Sequence, residues 1–297
     1  MGYNTKIDWC DTSWNPVTGC LHGCEYCYAR RIANRFGGSI RLDLPPDTSW
    51  RANRDESEEL KKTLMGDFAC HSNGGLHILD EPALNVPVYP APPSEIEKRS
   101  APYPYYFDPT FHRYKLDQPQ KWTKPRTIFV CSMADLFGEW VPDEWIEEVF
   151  KACEAAPWHR YLFLTKNPVR YNRLYKLDLP YLNGAMFGYT LDATQTNEWL
   201  EETKLPYGKD VFVSIEPIQG EINSYYLDHI LKCGWVIVGA ETGNRKGIIK
   251  PKKEWIDFIM RHCEANKIPI FMKESLRGLM GDDFRQEFPW GGDANER

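Results

Sequence analysis

From residue 127 onward the chain repeats one rhythm, a short apolar run, a polar turn and an amphipathic segment, and no other feature restricts its fold as much. The runs are TIFVCSM (127–133), RYLFLTK (160–166), AMFGYT (185–190), VFVSIE (211–216), WVIVGAE (235–241) and IPIFMKE (268–274). Each is rich in β-branched or aromatic residues, which suits strands covered on both faces. Between them, VPDEWIEEVFKACEAA reads as a helix with Pro142 near its first turn and Ile146, Val149, Phe150 and Cys153 on one stripe. KKEWIDFIMRHCEAN repeats the pattern, aligns Trp255, Phe258, Ile259 and Cys263, and stops at Asn266. Strands alternating with helices pair in parallel through right-handed crossovers. With an earlier strand near TSWNPVTG, the expected fold is α/β: a partial or complete (β/α) barrel of six or seven parallel strands with a long irregular insertion. A doubly wound sheet is the alternative. Barrels collect polar residues at their C-terminal strand ends, and here the runs close on Ser132 and Asp135, Thr165 and Lys166, Thr190, Ser214 and Glu216, Glu241, and Lys273 with Glu274.

With 297 residues, 42% of them hydrophobic, the chain can bury a sizeable core. No apolar run approaches the roughly 18 residues of a membrane helix. The opening MGYNTKIDWCDTSWNP lacks the regions of a secretory signal, so the cytoplasm is the expected location and no membrane the expected partner. A net charge of −6 argues against duplex nucleic acid as the main partner, because that binding uses a broad basic surface. A local patch stays open, with Arg30, Arg31, Arg35 and Arg41 close in sequence. Residues 1–37 and 118–280 are expected to form the barrel core, and 281–297 a C-terminal tail. Residues 38–117 hold LPPD, NVPVYPAPPSE and SAPYPYYFDPTF, show little periodicity, and exceed a plain barrel loop. They read as a Pro-rich insertion, either a lid or substrate-recognition element or a solvated excursion.

The nine cysteines divide sharply. Cys10, Cys70, Cys131, Cys153, Cys233 and Cys263 are scattered, and Cys153 and Cys263 lie on the apolar stripes just described, as core residues do. Cys20, Cys24 and Cys27 stand together at C-x3-C-x2-C within TGCLHGCEYCYARR. An odd total in a long chain without an export signal argues for reduced thiols. Structural zinc takes four protein ligands, normally as two separated pairs, and no second C-x2-C pair is present. A 4Fe-4S cluster can be held by thiolates of one loop. Three of them leave one iron open to a substrate or cofactor, as catalytic zinc keeps one position open. A chance grouping, or a disulfide with one thiol over, is the alternative. After Cys27, YARRIANRFGG reads as a helix with Tyr28, Ile32 and Phe36 on one stripe and Gly37 as its stop, so the cysteine loop lies between a strand and a helix.

C-x3-C-x-aromatic-C, with Tyr26 as the aromatic, resembles the hallmark of the radical S-adenosylmethionine (SAM) superfamily. Together with TSWNPVTGC, CEYCYA, KPRTIFVCSMADLFGEWVP, LTKNP, VSIEP and WVIVGAETG, it is similar to a family of phage and prophage proteins within that superfamily, over residues 8–36 and 118–276. The resemblance implies a radical SAM barrel in which Cys20, Cys24 and Cys27 are the metal ligands. They would hold a 4Fe-4S cluster whose remaining iron is chelated by the amino and carboxylate groups of S-adenosyl-L-methionine. One-electron reduction, from a donor such as flavodoxin or ferredoxin, would cleave the sulfonium to a 5'-deoxyadenosyl radical that abstracts hydrogen from the substrate. Tyr26 would shield the cluster or approach the adenine, and Tyr28 would pack beneath it. The substrate is left unknown, with a nucleotide or nucleic acid as the candidate.

The strand ends supply further candidates. Asp135, with Ser132 beside it, is a candidate for the SAM ammonium, and a helix cap is the alternative. Lys166 can meet the cofactor carboxylate or an anionic substrate, or be a solvated lysine. Ser214 and Glu216 are candidates for ribose hydroxyls, and the turn with Gly239, Glu241, Gly243 and Arg245 for the adenosine. Carboxylates there are costly to bury without partners. Lys273 and Glu274 can satisfy each other. Cys131 is the candidate thiol for returning a hydrogen atom to a product radical, and a small buried hydrophobe is its alternative. The competing reading of the whole chain is a non-catalytic iron-sulfur or zinc protein, acting as a sensor or a nucleic-acid-binding module.

Overall fold

The computed structural model describes residues 5–40, 69–70, 74–85, 99–177, 179–191, 208–222, 227 and 232–291. Contacts divide the chain into two units, Met1–Trp14 with Asp117–Arg297, and Asn15–Leu116. Residues 15–37, expected with the barrel core, therefore group with the long segment that follows them. Among the described residues no helix is long and apolar enough to cross a membrane.

The larger unit is built on an all-parallel sheet of seven strands in sequential order. These are β1 (Thr12–Trp14), β2 (Thr127–Val130), β3 (Arg160–Thr165), β4 (Met186–Thr190), β5 (Gly208–Ile215), β6 (Cys233–Val238) and β7 (Ile270–Met272). Each falls on a run read from the sequence. Sequential order without a reversal is that of a partial (β/α) barrel; a doubly wound sheet reverses at a switch point. Beyond β7 the segment expected to be a tail runs beside the edge. Met272 N–H donates to Arg285 O at 2.8 Å and Glu287 N–H to Ile270 O at 3.0 Å, so that edge is covered.

Alternation along the strands divides the core in two. Phe129, Leu162, Met186, Phe212, Trp235, Ile237 and Phe271 share one face with Trp9 and Phe288. Val211, Val213, Ile215, Val236, Val238, Ile270 and Met272 lie on the other, against the helix α2 (Lys253–Ala265) and its Ile256, Ile259, Met260 and Cys263. Helix α1 (Asp143–Glu154) has Asp143 and Glu144 in its first turn, where the helix dipole favours acids, and buries Ile146, Val149, Phe150 and Cys153. Its Phe150 stacks on Phe163 of β3 at 5.1 Å. The chain leaves α2 through Asn266, but the left-handed residue is Lys267, at φ 57°.

The smaller unit holds a three-stranded sheet. Val17–Thr18 pairs antiparallel with Thr110–His112, which pairs in parallel with His77–Leu79. Ala101, Phe107, Asp108, Thr110, Phe111 and His112 are buried. This end of the supposed insertion is thus packed structure rather than a solvated excursion. The expected helix is present as Tyr28–Arg35, with Phe36 as its C-cap and the positive φ at Gly38, one residue beyond Gly37. Its expected apolar stripe is outward: Tyr28, Ile32 and Phe36 are 46%, 37% and 54% exposed. Ala29 and Ala33 are the buried positions, since alanine permits a closer approach of the helix backbone.

Candidate functional site

The aromatic face of the sheet ends in polar residues. Thr190, Ser214, Ile237 and Phe271 lie in one row across β4 to β7, and all continue the parity of that face. Thr190 and Ser214 are buried. One step further along the strands come Glu216, Gly239 and Lys273. Lys273 Nζ and Glu216 Oε1 form an ion pair, with side chains 20% and 28% exposed. Partial burial opposes the Lys273 charge, but Glu216, with Asp8 farther off, holds its pKa above the usual lysine value. Gly239 makes room for this pair: a Cβ there would stand 2.8 Å from Lys273 Cδ and 3.3 Å from Glu216 Cγ. The pairing of Lys273 with Glu274 expected from sequence is not formed. Glu274 instead receives Arg277 Nε at 2.5 Å, because adjacent residues at a strand end point to opposite sides.

Glu241 lies in the turn after β6 with its side chain 3% exposed. Arg245 grips it with two bonds, Nε to Oε1 at 2.7 Å and Nη2 to Oε2 at 2.8 Å. A fork of this kind supplies the partner that a buried carboxylate requires.

Asp135 turns toward the helix-covered layer. Its Oδ2 accepts from Thr165 Oγ1 at 3.0 Å and from Lys166 N–H at 2.9 Å, and its Oδ1 accepts from Phe137 N–H at 3.0 Å. The carboxylate joins the turn after β2 to the end of β3, and it caps no helix, since Pro142 precedes α1. Ser132 and Lys166 are half-buried. Cys131 follows β2 at φ 61°, a left-handed conformation that cysteine seldom adopts. It is 2% exposed and close enough to Cys153 of α1 to act on it electrostatically, while burial pushes the Cys153 thiol well up.

The three clustered cysteines belong to the smaller unit, and Cys20 follows the last residue of β1 by six positions in the chain. All three are half-buried thiols outside any disulfide. Cys27 Sγ accepts from Arg30 N–H at 3.4 Å and caps the helix, and Cys27 N–H donates to Cys24 O at 3.3 Å. Tyr26 between them is half-buried. Arg30 donates from Nη2 to Cys20 O at 3.5 Å and lies over the Phe107 ring at 5.3 Å. Arg31 and Arg35 are exposed, and Arg41 lies outside the described residues. The donor chemistry suits an iron-sulfur cluster: soft sulfur ligands on one loop, beside a helix N-terminus that favours negative charge. The closed ligand set itself is not formed, as among the described residues no three His, Cys, Asp or Glu side chains stand in a group that could hold a metal ion.

Sequence reasoning missed the supports of this loop, Phe107, Asp108 and His77, which lie in a segment without periodicity. It also missed Lys273 as the partner of Glu216, although a lysine and a glutamate at two C-terminal strand ends were a signal for it.

A family model described as "Protein of unknown function (DUF5131)" matches residues 4–65 and 96–279. No curated protein matches the chain. Among solved structures, it is similar to a cysteine-to-serine mutant of spore photoproduct lyase, at a TM-score of 0.44 and 11% identity over 91% of this chain and 80% of that one. It is also similar to spore photoproduct lyase complexed with dinucleoside spore photoproduct, at 0.41 and 12% over 86% and 75%. Likenesses this distant carry nothing about activity.

Proposed function

The chain belongs to the family described as "Protein of unknown function (DUF5131)", and we propose that it is a radical SAM enzyme whose substrate is a nucleotide or nucleic acid. The observation that carries this reading is the trio of half-buried thiols on one loop, outside any disulfide, at the C-x3-C-x-aromatic-C spacing. Cys20, Cys24 and Cys27 would hold a 4Fe-4S cluster, leaving one iron to S-adenosyl-L-methionine. When bound, such a cluster supplies the electron for reductive cleavage of S-adenosylmethionine to a 5'-deoxyadenosyl radical that takes a hydrogen atom from the substrate. An external donor such as flavodoxin or ferredoxin provides that electron.

The chain's own residues bind and orient. Cys27 is fixed by its capping bond, so its sulfur is presented at the helix start. Tyr26 offers a half-buried ring beside it. Glu216 and Gly239 form a rim above the buried Ser214, in which the Glu216 carboxylate accepts ribose hydroxyls and is oriented by its ion pair with Lys273. Glu241 is positioned by Arg245. Lys166 and Ser132, half-buried at strand ends, are the groups for the amino acid end of the cofactor. Asp135 and Cys131 are left out of this set, the first because its oxygens hold Thr165, Lys166 and Phe137, the second because it is buried beside Cys153. The exposed Arg31 and Arg35, on a helix without an acid, support a polyanionic substrate.

A second reading, an iron-sulfur or zinc protein that senses or binds without turnover, draws on the same rim, where Glu216 and Glu241 are already satisfied by Lys273 and Arg245. Anaerobic reconstitution with iron and sulfide, followed by reduction in the presence of S-adenosylmethionine, separates the two. Release of 5'-deoxyadenosine and methionine is the expected result. A stable cluster that leaves the sulfonium intact would overturn the enzyme reading.

A further inference from the structure

Cys24 and Cys27 are placed locally, by the turn that joins them and by the helix that Cys27 caps. Cys20 has a distant support as well. Leu21 and Gly23, in the three residues that separate it from Cys24, are exposed, and Gly23 is at φ 75°. A shelf about 88 residues later in the chain holds Cys20. Cys20 N–H donates to Phe107 O at 3.2 Å, extending the antiparallel pairing of Thr18 with Thr110. Gly19 lies at φ 87° and so close to the shelf that a Cβ would stand 2.2 Å from Asp108 O. Only glycine satisfies both conditions. Arg30 closes the clamp by holding Cys20 O while its guanidinium lies over Phe107.

The shelf is itself braced from behind. Asp108 Oδ2 accepts from Gly74 N–H at 3.0 Å and has His77 Nε2 at 3.5 Å. The His77 ring stacks on Tyr105 at 3.6 Å with planes 3° apart, and His77 N–H donates to Pro109 O at 3.0 Å. Asp108 and His77 are largely buried, with side chains 9% and 13% exposed.

We propose that Gly19, Asp108 and His77 are positioning residues for Cys20, through which the long segment after the cysteine helix sets the spacing of the first thiol to the other two. The inference deepens the reading of the three thiols as cluster ligands and rests on it. Supporting groups behind metal ligands change affinity without touching the metal. The family match resumes at residue 96, so the shelf lies within the matched part of the chain.

The test uses the full chain in two forms. In apoprotein, iodoacetamide labelling of each cysteine is followed by mass spectrometry; after anaerobic reconstitution, retained iron is measured. Gly19→Ala and Asp108→Ala should speed labelling of Cys20 relative to Cys24 and Cys27, and should weaken iron retention about tenfold. Asp108→Asn, whose carbonyl still accepts from Gly74 N–H, should restore most of both, and His77→Phe, which keeps the ring on Tyr105, should fall between. Unchanged Cys20 labelling in Gly19→Ala and Asp108→Ala would overturn the proposal. So would equal acceleration at all three cysteines, which reports a loosened unit. If the unaltered protein takes up no iron, the ligand reading fails, while the labelling pattern still decides the positioning.

Discussion

Glu216 and Lys273, 57 residues apart in the chain, meet as an ion pair across the bare backbone of Gly239. Three neighbouring strands contribute one residue each, so the geometry of the rim depends on the register of β5, β6 and β7. Gly239→Ala should cost about 1–2 kcal/mol by forcing Lys273 aside. Glu216→Gln and Lys273→Met should each destabilise by about 1–2 kcal/mol, as expected for a partly buried pair, and the double variant by less than their sum. Urea unfolding of the four proteins measures this; additivity would show that the pair contributes nothing.

Asp135 should prove to be a latch. Asp135→Ala leaves Lys166 N–H and Thr165 Oγ1 without their acceptor, at a cost of about 2–3 kcal/mol. A fall in Tm of several degrees is the expected outcome, with iron uptake unchanged. A fall in iron uptake without loss of stability would return Asp135 to the site.

His112 is fully buried, with Thr18 Oγ1 at 2.8 Å from its Nε2 and the Tyr114 hydroxyl at 3.4 Å from its Nδ1. Burial, with the charge of Lys115, pushes its pKa from 6.5 down to about 2. The folded protein therefore keeps the ring neutral where the unfolded chain takes up a proton. Stability is complete above pH 6.5 and falls as the pH drops from there toward 2, by up to about 1.4 kcal/mol per pH unit from this residue. Urea midpoints measured from neutral to mildly acidic pH should show the slope, and His112→Gln should flatten it.

Cys131 carries a backbone cost. At φ 61°, Cys131→Gly should be near neutral, the relief of strain offsetting the lost burial, whereas Cys131→Val should destabilise by about 2 kcal/mol or more. Thermal unfolding of the two variants checks the order. The reverse order would mean that the left-handed turn is not required.

Cys20→Ala, Cys24→Ala and Cys27→Ala should each abolish stable cluster formation, with Cys10→Ala and Cys263→Ala as controls that keep it. Iron and sulfide analysis after anaerobic reconstitution is the measurement. Full iron uptake by any of the first three would remove that residue from the ligand set.

All seven strands of the parallel sheet, and helices α1 and α2, were legible in the chain, because apolar runs and 3.6-residue stripes arise from which faces must leave water. The cysteine trio was equally plain, since ligand spacing on one loop is a local property. Tertiary structure alone decided the partners. A strand pattern does not say that Lys273 will take Glu216 rather than Glu274, nor that Asp135 will face the helix layer, because both depend on register between strands distant in sequence. The helix after the cysteines shows the same limit: Tyr28, Ile32 and Phe36 form an apolar stripe, yet Ala29 and Ala33 are buried. Close approach to a neighbour is set by small side chains, and periodicity does not record which neighbour arrives.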